Sequence, residues 1–425
     1  MRRPAIDGRH LVVGSTLLTQ LLLVVSGPLA LRLLGLEDRG EVAFVFAAVL
    51  LVSQVTHGGI PQAWAFWIAR HGVAPAALLS SRLRRFSLRA VLMGVMGAIG
   101  IGVLSTAQEP LTHPAAELVI SAFAIVAIMH AVLALSVLQG SRRFARLAAV
   151  QTMPGVLYTG GLVVMALTGT ADVISVLVVY FSSWIVIAVW GLLPGRKDVA
   201  GEPAPPQAEL SSYGRRTLVS ASAPIDNLGI DQLLVGTLLL HAGLGAYTVA
   251  LAFETAPVIL LIALGTICMP GIAQIHDPAA QRRYAARWIA IGLALATTGV
   301  LLIQLLLEPV LLLAFGQEAE VALEPARILV VAGIFLGLRR LTGSMLQGLG
   351  RPTTATAAEL VGFAVMVVGM FTLVPRYGLE GACVAMLAAG LVTATLGVIA
   401  LLVPRRRAAE RPREPIASTP PSAPR

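Results

Sequence analysis

Long apolar runs separated by short polar turns are repeated along almost the whole chain. Twelve runs can be marked, at 11–34, 41–69, 86–107, 117–140, 147–168, 173–193, 217–240, 244–274, 288–315, 325–349, 355–375 and 380–403. About 20 apolar residues are enough for one helix to cross a membrane. The runs show no strand-like alternation, and unpaired backbone groups are not tolerated in lipid. The pattern therefore predicts an all-α integral membrane protein with twelve transmembrane helices.

Composition agrees with this interpretation. The chain is 57% hydrophobic and 12% charged, with a mean hydropathy of +0.84, whereas soluble domains carry about 25% charged residues. The net charge of +9 is spread over short turns, so it does not indicate a nucleic-acid partner. Cys268 and Cys383 lie inside apolar runs, and no disulfide framework is expected. The first run reaches Leu34 without a cleavage site and is predicted to be an uncleaved span.

The distribution of basic residues predicts the orientation of the chain. Of the 31 Lys and Arg residues, 25 lie at the ends and turns of one side, four lie on the other side, and two lie within a span. Basic residues accumulate on the cytoplasmic side of membrane proteins. We therefore expect a multi-pass protein of the cell membrane with both termini in the cytoplasm.

Two polar corners carry the same tripeptide, Leu-Gln-Gly. VLQGSRRFARLAAVQT at 137–152 and MLQGLGRPTTATAAEL at 345–360 agree at five of sixteen positions and close the fourth and tenth runs. GLEDRGEVAFVFA at 35–47 and HAGLGAYTVALAF at 241–253 align Gly40 with Gly245. Chance agreement among apolar residues is the alternative explanation. The matching run numbers favour a parallel internal repeat of two six-helix bundles, a common plan among transporters.

Turn composition gives the expected boundaries. The segment 194–216 is rich in Pro and charge and is typical of a flexible linker, and the end of the chain is typical of a disordered tail. We expect an N-terminal six-helix bundle at 1–193, a cytoplasmic linker at 194–216, a C-terminal six-helix bundle at 217–403 and a disordered cytoplasmic tail at 404–425.

The sequence gives no indication of nucleotide, metal or catalytic chemistry. The only lysine is Lys197 in Gly-Arg-Lys-Asp, so a phosphate loop ending in Gly-Lys-Ser/Thr is excluded. No Asp-x-Asp pair is available to hold a metal and sugar nucleotide, and no cofactor is expected. The predicted outer loops are too short for the catalytic domain of a glycan polymerase or ligase. A non-enzymatic protein is therefore expected.

Ionisable residues inside apolar runs are candidate functional residues, because they are costly in lipid. Arg339 and Arg340 lie near the predicted mid-membrane depth of the tenth run. Asp226 and Asp231 of the seventh run and Glu254 of the eighth are predicted to pair with these arginines or to couple transport to an ion. Both interpretations remain open, since buried charges need partners in either case.

Several stretches resemble one family of transporters. They are LRLLGLEDRGE at 31–41, HGGIPQAWAFWIAR at 57–70, DQLLVGTLLLHAGLGAYTVALAF at 231–253, MLQGLGRP at 345–352 and VPRYGLEGAC at 374–383. Together they resemble the lipid-linked oligosaccharide flippase and polysaccharide-export branch of the multidrug/oligosaccharidyl-lipid/polysaccharide (MOP) exporter superfamily. The resemblance extends from about residue 11 to residue 403.

The resemblance implies two six-helix bundles around a central cavity. It also implies that a polyprenyl-diphosphate-linked oligosaccharide is flipped from the inner to the outer leaflet by alternating access. The implied partners are the lipid-linked glycan, membrane lipids, and a glycan polymerase or glycosyltransferases. Six residues match the family pattern: Arg32, Gly35, Gly40, Asp231, Gly245 and Tyr247. Arg39 departs from it, because an aromatic residue usually precedes that glycine.

The predicted substrate-binding residues are Arg339, Arg340, Arg32 and His130. The two adjacent arginines are expected to hold the diphosphate, because a guanidinium stays charged and contacts phosphate oxygens through two N–H groups. A packing role for His130 is favoured over a metal-ligand role, since no other Cys or His has suitable spacing. The alternatives are a multidrug/cation antiporter of the same fold and a non-transporting scaffold in cell-envelope glycan assembly.

Overall fold

A computed structural model describes residues 8–106, 109–193, 202–212, 214, 225 and 228–403. The predicted tail at 404–425, much of the predicted linker and Asp226 lie outside the described residues. The helices are α1 (Gly8–Thr56), α2 (Ile60–His71), α3 (Pro75–Thr106), α4 (Pro114–Gly140), α5 (Phe144–Thr168), α6 (Val173–Leu192), α7 (Ile230–Ala273), α8 (Pro278–Phe315), a 3₁₀ helix (Gln317–Ala322), α9 (Leu323–Gly348) and α10 (Pro352–Leu402).

The all-α membrane character of the chain is confirmed. Within the described ranges, nine helices are long and apolar enough to cross a membrane. Their outward faces carry large apolar side chains, such as Leu167, Leu305 and Leu313, which are 76–83% exposed. Such a surface is unfavourable in water and is typical of a face that meets lipid.

Three of these helices are longer than one crossing and are interrupted by a single non-helical residue. The interruptions are Gly35 in α1 (φ 79°, ψ −179°), Leu240 in α7 (φ 62°, ψ −175°) and Gly378 in α10 (φ 57°, ψ −134°). The 49 residues of α1 would extend about 70 Å if straight, roughly twice the hydrocarbon thickness. Each interruption lies at or beside the end of an apolar run, where the sequence predicted a turn.

The prediction of one continuous helix for the run 41–69 is wrong. The helix α1 ends at Thr56, and α2 begins at Ile60 after Gly58 and Gly59, both of which have positive φ. Pro61 stands in the first turn of α2, where its missing N–H removes no helical hydrogen bond. His57 completes the turn, because its Nδ1 accepts from Gly59 N–H at 3.1 Å and its Nε2 lies 2.9 Å from Gln54 Oε1.

The two Leu-Gln-Gly corners have the same backbone geometry. After α4, the N–H groups of residues 141, 142 and 143 donate to the carbonyl groups of residues 137, 139 and 138. After α9, residues 349, 350 and 351 donate to residues 345, 347 and 346 in the same order. The middle residue of each corner, Arg142 or Gly350, has a positive φ. The sequence similarity of the corners therefore reflects a shared local structure.

Two glycines let α1 and α7 approach closely. A Cβ atom on Gly40 would lie 1.7 Å from the carbonyl oxygen of His241, and one on Gly245 would lie 2.0 Å from that of Leu36. The two contacts are equivalent, because a shift of 205 residues along the chain takes Leu36 to His241 and Gly40 to Gly245. Only glycine fits at such a distance without moving the backbone.

Part of the segment between α6 and α7 is attached to the N-terminal half. Ala74 N–H donates to Glu202 O and Glu202 N–H donates to Gly72 O, both at 3.0 Å. Arg82 adds a hydrogen bond to Pro205 O at 3.2 Å. These contacts hold residues 202–205 against the turn between α2 and α3.

Candidate functional site

Arg339 forms a buried ion pair with Glu359. Its side chain is 1% exposed, and its Nη1 donates to both carboxylate oxygens of Glu359 at 2.7 Å. The pair joins α9 to α10. The sequence analysis expects the partner among Asp226, Asp231 and Glu254, whereas the structure bonds Arg339 to Glu359 of the eleventh apolar run. The expected depth in the membrane would have suggested Glu359, because Arg339 and Glu359 lie about 14 and 11 Å along their helices from the corner that connects α9 to α10.

A polar cavity of about 200 Å³ lies beside this pair. Both predicted arginines line it, together with Thr266, Ser344 and Gln347. Adjacent residues on a helix point about 100° apart, and both arginines nevertheless line the same cavity. Because guanidinium, hydroxyl and amide groups all donate hydrogen bonds to phosphate oxygens, this cavity is chemically suited to an anion.

The acidic residues of α7 surround a buried tyrosine. The hydroxyl group of Tyr247 donates to Asp231 Oδ2 at 3.1 Å. Asp231 is 3% exposed and Glu254 is 7% exposed, and both carboxyl groups, with the Cys383 thiol, lie within electrostatic range of the phenol. The structure therefore brings two of the three predicted acids together. Asp226 lies outside the described residues.

Arg32 and His130 occupy other places. Arg32 is exposed and donates from Nη2 to the backbone carbonyl of Leu313 on α8. His130 Nδ1 bonds to Val126 O at 2.7 Å, and its Nε2 bonds to Ser87 Oγ at 2.8 Å. It lines a mostly apolar groove with Phe123 and other residues of α4 and α6. Neither residue lines the cavity at Arg339 and Arg340.

A second polar cavity, of about 300 Å³, lies between α1, α5 and α7. Arg39 lines it, with its guanidinium carbon 5.5 Å from the ring centre of Phe315. The sequence analysis gives Arg39 no role in binding. Its departure from the family pattern was the one signal that marked this position.

The fold of this chain is shared with solved structures of membrane transporters. One structure with this fold is an inward-facing multidrug resistance MATE family transporter of the MOP superfamily, with a TM-score of 0.73 and 14% identity, covering 90% of this chain and 93% of that one. Another is the lipid II flippase MurJ in an inward closed conformation, with a TM-score of 0.72 and 12% identity, covering 92% and 87%. Identities this low establish the fold alone.

Sequence comparison gives the family. The model of the polysaccharide biosynthesis protein family matches residues 7–276, well over half of the chain, and the chain belongs to this family. It is also 22% identical over 267 residues to a protein of Haloferax volcanii described as "Probable low-salt glycan biosynthesis flippase Agl15", covering 62% of this chain. The match spans 56% of that relative, a little more than half of its length. The family resemblance noted in the sequence is thereby confirmed.

Proposed function

We propose that this protein is a flippase that moves a polyprenyl-diphosphate-linked oligosaccharide from the inner to the outer leaflet by alternating access. The observation that carries the proposal is the cavity lined by Arg339 and Arg340 within helices of the membrane domain. Arginines that line a cavity at membrane depth are functional candidates by default, because charged side chains are costly there. A diphosphate supplies the complementary charge, and family membership supports a glycan attached to it.

The proposed architecture is twelve crossings in two bundles, residues 1–193 and 217–403, related by a parallel repeat. The interruptions at Gly35, Leu240 and Gly378 divide three long helices into six segments. The equivalent corners after α4 and α9 support the repeat. So does the reciprocal contact of Gly40 and Gly245, because a twofold axis makes residue i contact j while j contacts i. With both termini in the cytoplasm, each half crosses the membrane six times and the two halves have the same orientation. The axis that relates them therefore runs along the membrane normal.

The proposed orientation places three contacts between the halves near the outer surface. These are the glycine contact, the Arg32 bond to Leu313 O, and the His241 bonds to Glu109, with the His241 N–H at 2.6 Å and Nδ1 at 3.4 Å from Oε2. Alternating access requires these contacts to separate when the outer side opens. They would therefore form the outer gate of the transporter in the cell membrane.

Asp231 and Glu254 are proposed to couple this movement to an ion. Both acids are buried around Tyr247 in the C-terminal half, and intramembrane acids commonly serve proton or cation relays. The same cluster is the one observation that favours a multidrug/cation antiporter instead. The arginines at the neighbouring cavity argue for an anionic substrate. A glycan polymerase and glycosyltransferases are proposed as partners in assembly.

The test is transport by the purified protein in liposomes. The substrate is a short polyprenyl-diphosphate-linked disaccharide, and the readout is its exposure to an outer-leaflet glycosidase. Arg340→Gln is expected to lower the initial rate about tenfold or more, and Arg340→Lys by less, because charge-assisted hydrogen bonds contribute about 1.5–3 kcal/mol each. Arg287→Gln removes an exposed arginine of α8 and serves as the matched control.

The result is decisive in both directions. Transport of the disaccharide lipid that depends on Arg340 supports the proposal. If the wild type transports cationic drugs and leaves the disaccharide lipid in place, the antiporter is the correct function. If it moves neither while folded and monodisperse, the scaffold alternative replaces both.

A further inference from the structure

Arg39 is a buried cation that no carboxylate neutralises in the described part of the chain. The residue is 9% exposed, it forms no ion pair there, and its Nη1 has no hydrogen-bond partner. Its described neighbour is the face of Phe315, with the Cζ atom 5.5 Å from the ring centre. A cation–π contact contributes roughly 0.5–2 kcal/mol, while burying an unpaired charge costs several kcal/mol. The aromatic ring alone therefore leaves this site unfavourable.

A glycine of α1 lies beside the head group of Arg39. Gly27 faces the guanidinium, and a Cβ atom there would lie 3.8 Å from Nη2 and 3.9 Å from the Phe315 ring. A larger side chain at residue 27 would fill the space between α1 and the arginine. Gly27 and Arg39 both line the cavity.

The cavity beside Arg39 has a mixed polar and apolar lining. It measures about 300 Å³, and the polar residues that line it beside Arg39 come from both halves: Ser26, Tyr158, Gln232, Thr248 and Thr255. The other lining residues are apolar. Its volume is at the low end of the range for small-molecule pockets. The hydroxyl groups of Thr248 and Thr255 donate to backbone carbonyls of α7, so the guanidinium of Arg39 is the group in this cavity suited to phosphate oxygens.

This cavity differs in position from the one at Arg340. Helices α1 and α5 of the N-terminal half and α7 of the C-terminal half form its walls, whereas α7, α9 and α10 form the other. Arg39 precedes Gly40, the residue that contacts His241 across the two halves. A group bound at Arg39 would therefore lie beside the contact that must separate during alternating access.

We propose that the cavity at Arg39 is a second anion-binding site, which receives the diphosphate group of the substrate between the halves. This inference rests on the proposed function for the identity of the anion. The site would hold the group near the outer side, after the cavity at Arg340 has taken it up from the inner side. Its charge would be neutralised by the ligand rather than by the protein.

Binding to the purified full-length chain in lipid nanodiscs tests the proposal. The probes are geranylgeranyl diphosphate, inorganic pyrophosphate and geranylgeraniol, with affinity measured by calorimetry. Arg39→Gln is expected to weaken geranylgeranyl diphosphate binding about tenfold or more, which corresponds to the loss of one charge-assisted hydrogen bond. Arg39→Lys is expected to retain part of the affinity. Arg376→Gln, which removes an exposed arginine of α10, is the matched control and is expected to bind normally.

Thermal unfolding without ligand distinguishes a ligand site from a structural one. Because Arg39 has no carboxylate partner in the described residues, Arg39→Gln is expected to leave the unfolding temperature unchanged or to raise it. A lower unfolding temperature together with normal diphosphate binding would overturn the proposal. Reduced binding at a retained unfolding temperature supports it.

The binding results distinguish failure of the proposed function from failure of the Arg39 site. They also distinguish a lipid headgroup from free phosphate as the ligand. If the wild type binds no diphosphate probe, the proposed substrate class fails and the Arg39 site fails with it. If the wild type and Arg340→Gln bind as proposed but Arg39→Gln binds as tightly as the wild type, the Arg39 site alone fails. Equal dependence on Arg39 for pyrophosphate and geranylgeranyl diphosphate would assign a general phosphate site. Dependence for the lipid alone would assign a headgroup site. Both outcomes support anion binding there.

Discussion

Two arginines, Arg39 and Arg339, are buried in different ways. Arg339 lies inside the C-terminal half and shares two 2.7 Å hydrogen bonds with Glu359. Arg39 lies between the halves, against an aromatic ring, and lines a cavity with a mixed polar and apolar lining. An arginine matched by a carboxylate fixes the geometry of two helices. An arginine facing a cavity between two moving parts is available to a ligand. Burial alone therefore does not indicate what a charged residue does.

The largest expected effect comes from breaking the Arg339–Glu359 pair. Glu359→Ala leaves the guanidinium in a buried site with one charge fewer opposite it, which costs about 3–5 kcal/mol in comparable pairs. We expect a fall in unfolding temperature or failure to accumulate, measured by fluorescence-detected size exclusion. Glu380→Ala, at an exposed position of α10, is the control. A stable Glu359→Ala variant would contradict a structural role for the pair.

A carboxylate introduced beside Arg39 should make this arginine resemble the paired Arg339. Ala252 lines the same cavity, and Ala252→Glu is expected to form an ion pair that neutralises the arginine. Geranylgeranyl diphosphate binding should then weaken about tenfold or more, while Ala252→Gln, of the same size without charge, should bind better than the Glu variant. Equal affinities in the two variants would show that the charge of Arg39 is not used in binding.

Separating the halves should alter access to the Arg39 cavity. Gly40→Ala places a methyl group 1.7 Å from the His241 carbonyl oxygen, and overpacking of this kind typically costs about 1–3 kcal/mol. We expect faster reaction of Thr248→Cys, which lines the cavity, with a membrane-impermeant thiol reagent added outside. Gly100→Ala, where no atom lies within 4 Å, should leave the rate unchanged. An unchanged rate in Gly40→Ala would indicate that this contact is not the outer gate.

The smallest effect is expected at Arg32. This arginine is exposed and bonded to the main chain of α8, and exposed charges contribute about 0–1 kcal/mol. Arg32→Gln should therefore reduce diphosphate binding less than fivefold in the same calorimetric assay. A loss as large as that expected for Arg39→Gln would place Arg32 in the binding site.

The positions of the helices were largely predictable from the sequence. Hydropathy predicted the helices, because lipid leaves the backbone no alternative to internal hydrogen bonding. It also located the interruptions at Gly35, Leu240 and Gly378. It missed the break before Ile60, since Gly58, Gly59 and Pro61 are compatible with either a kink or a complete turn. The number of twelve crossings and the repeat remain proposals.

Sequence by itself determined the class of protein, the membrane helices, the family and the arginines of the tenth run as candidates. Those features depend on local composition and on residues a few positions apart. Only the tertiary structure decided that Glu359 is the carboxylate bonded to Arg339 and that Arg39 faces a cavity rather than the outer surface. Both depend on the rotation and tilt of helices that meet across 20 or more residues of chain. A pattern of apolar residues fixes which stretches enter the membrane, but packing between helices fixes which side chains meet there.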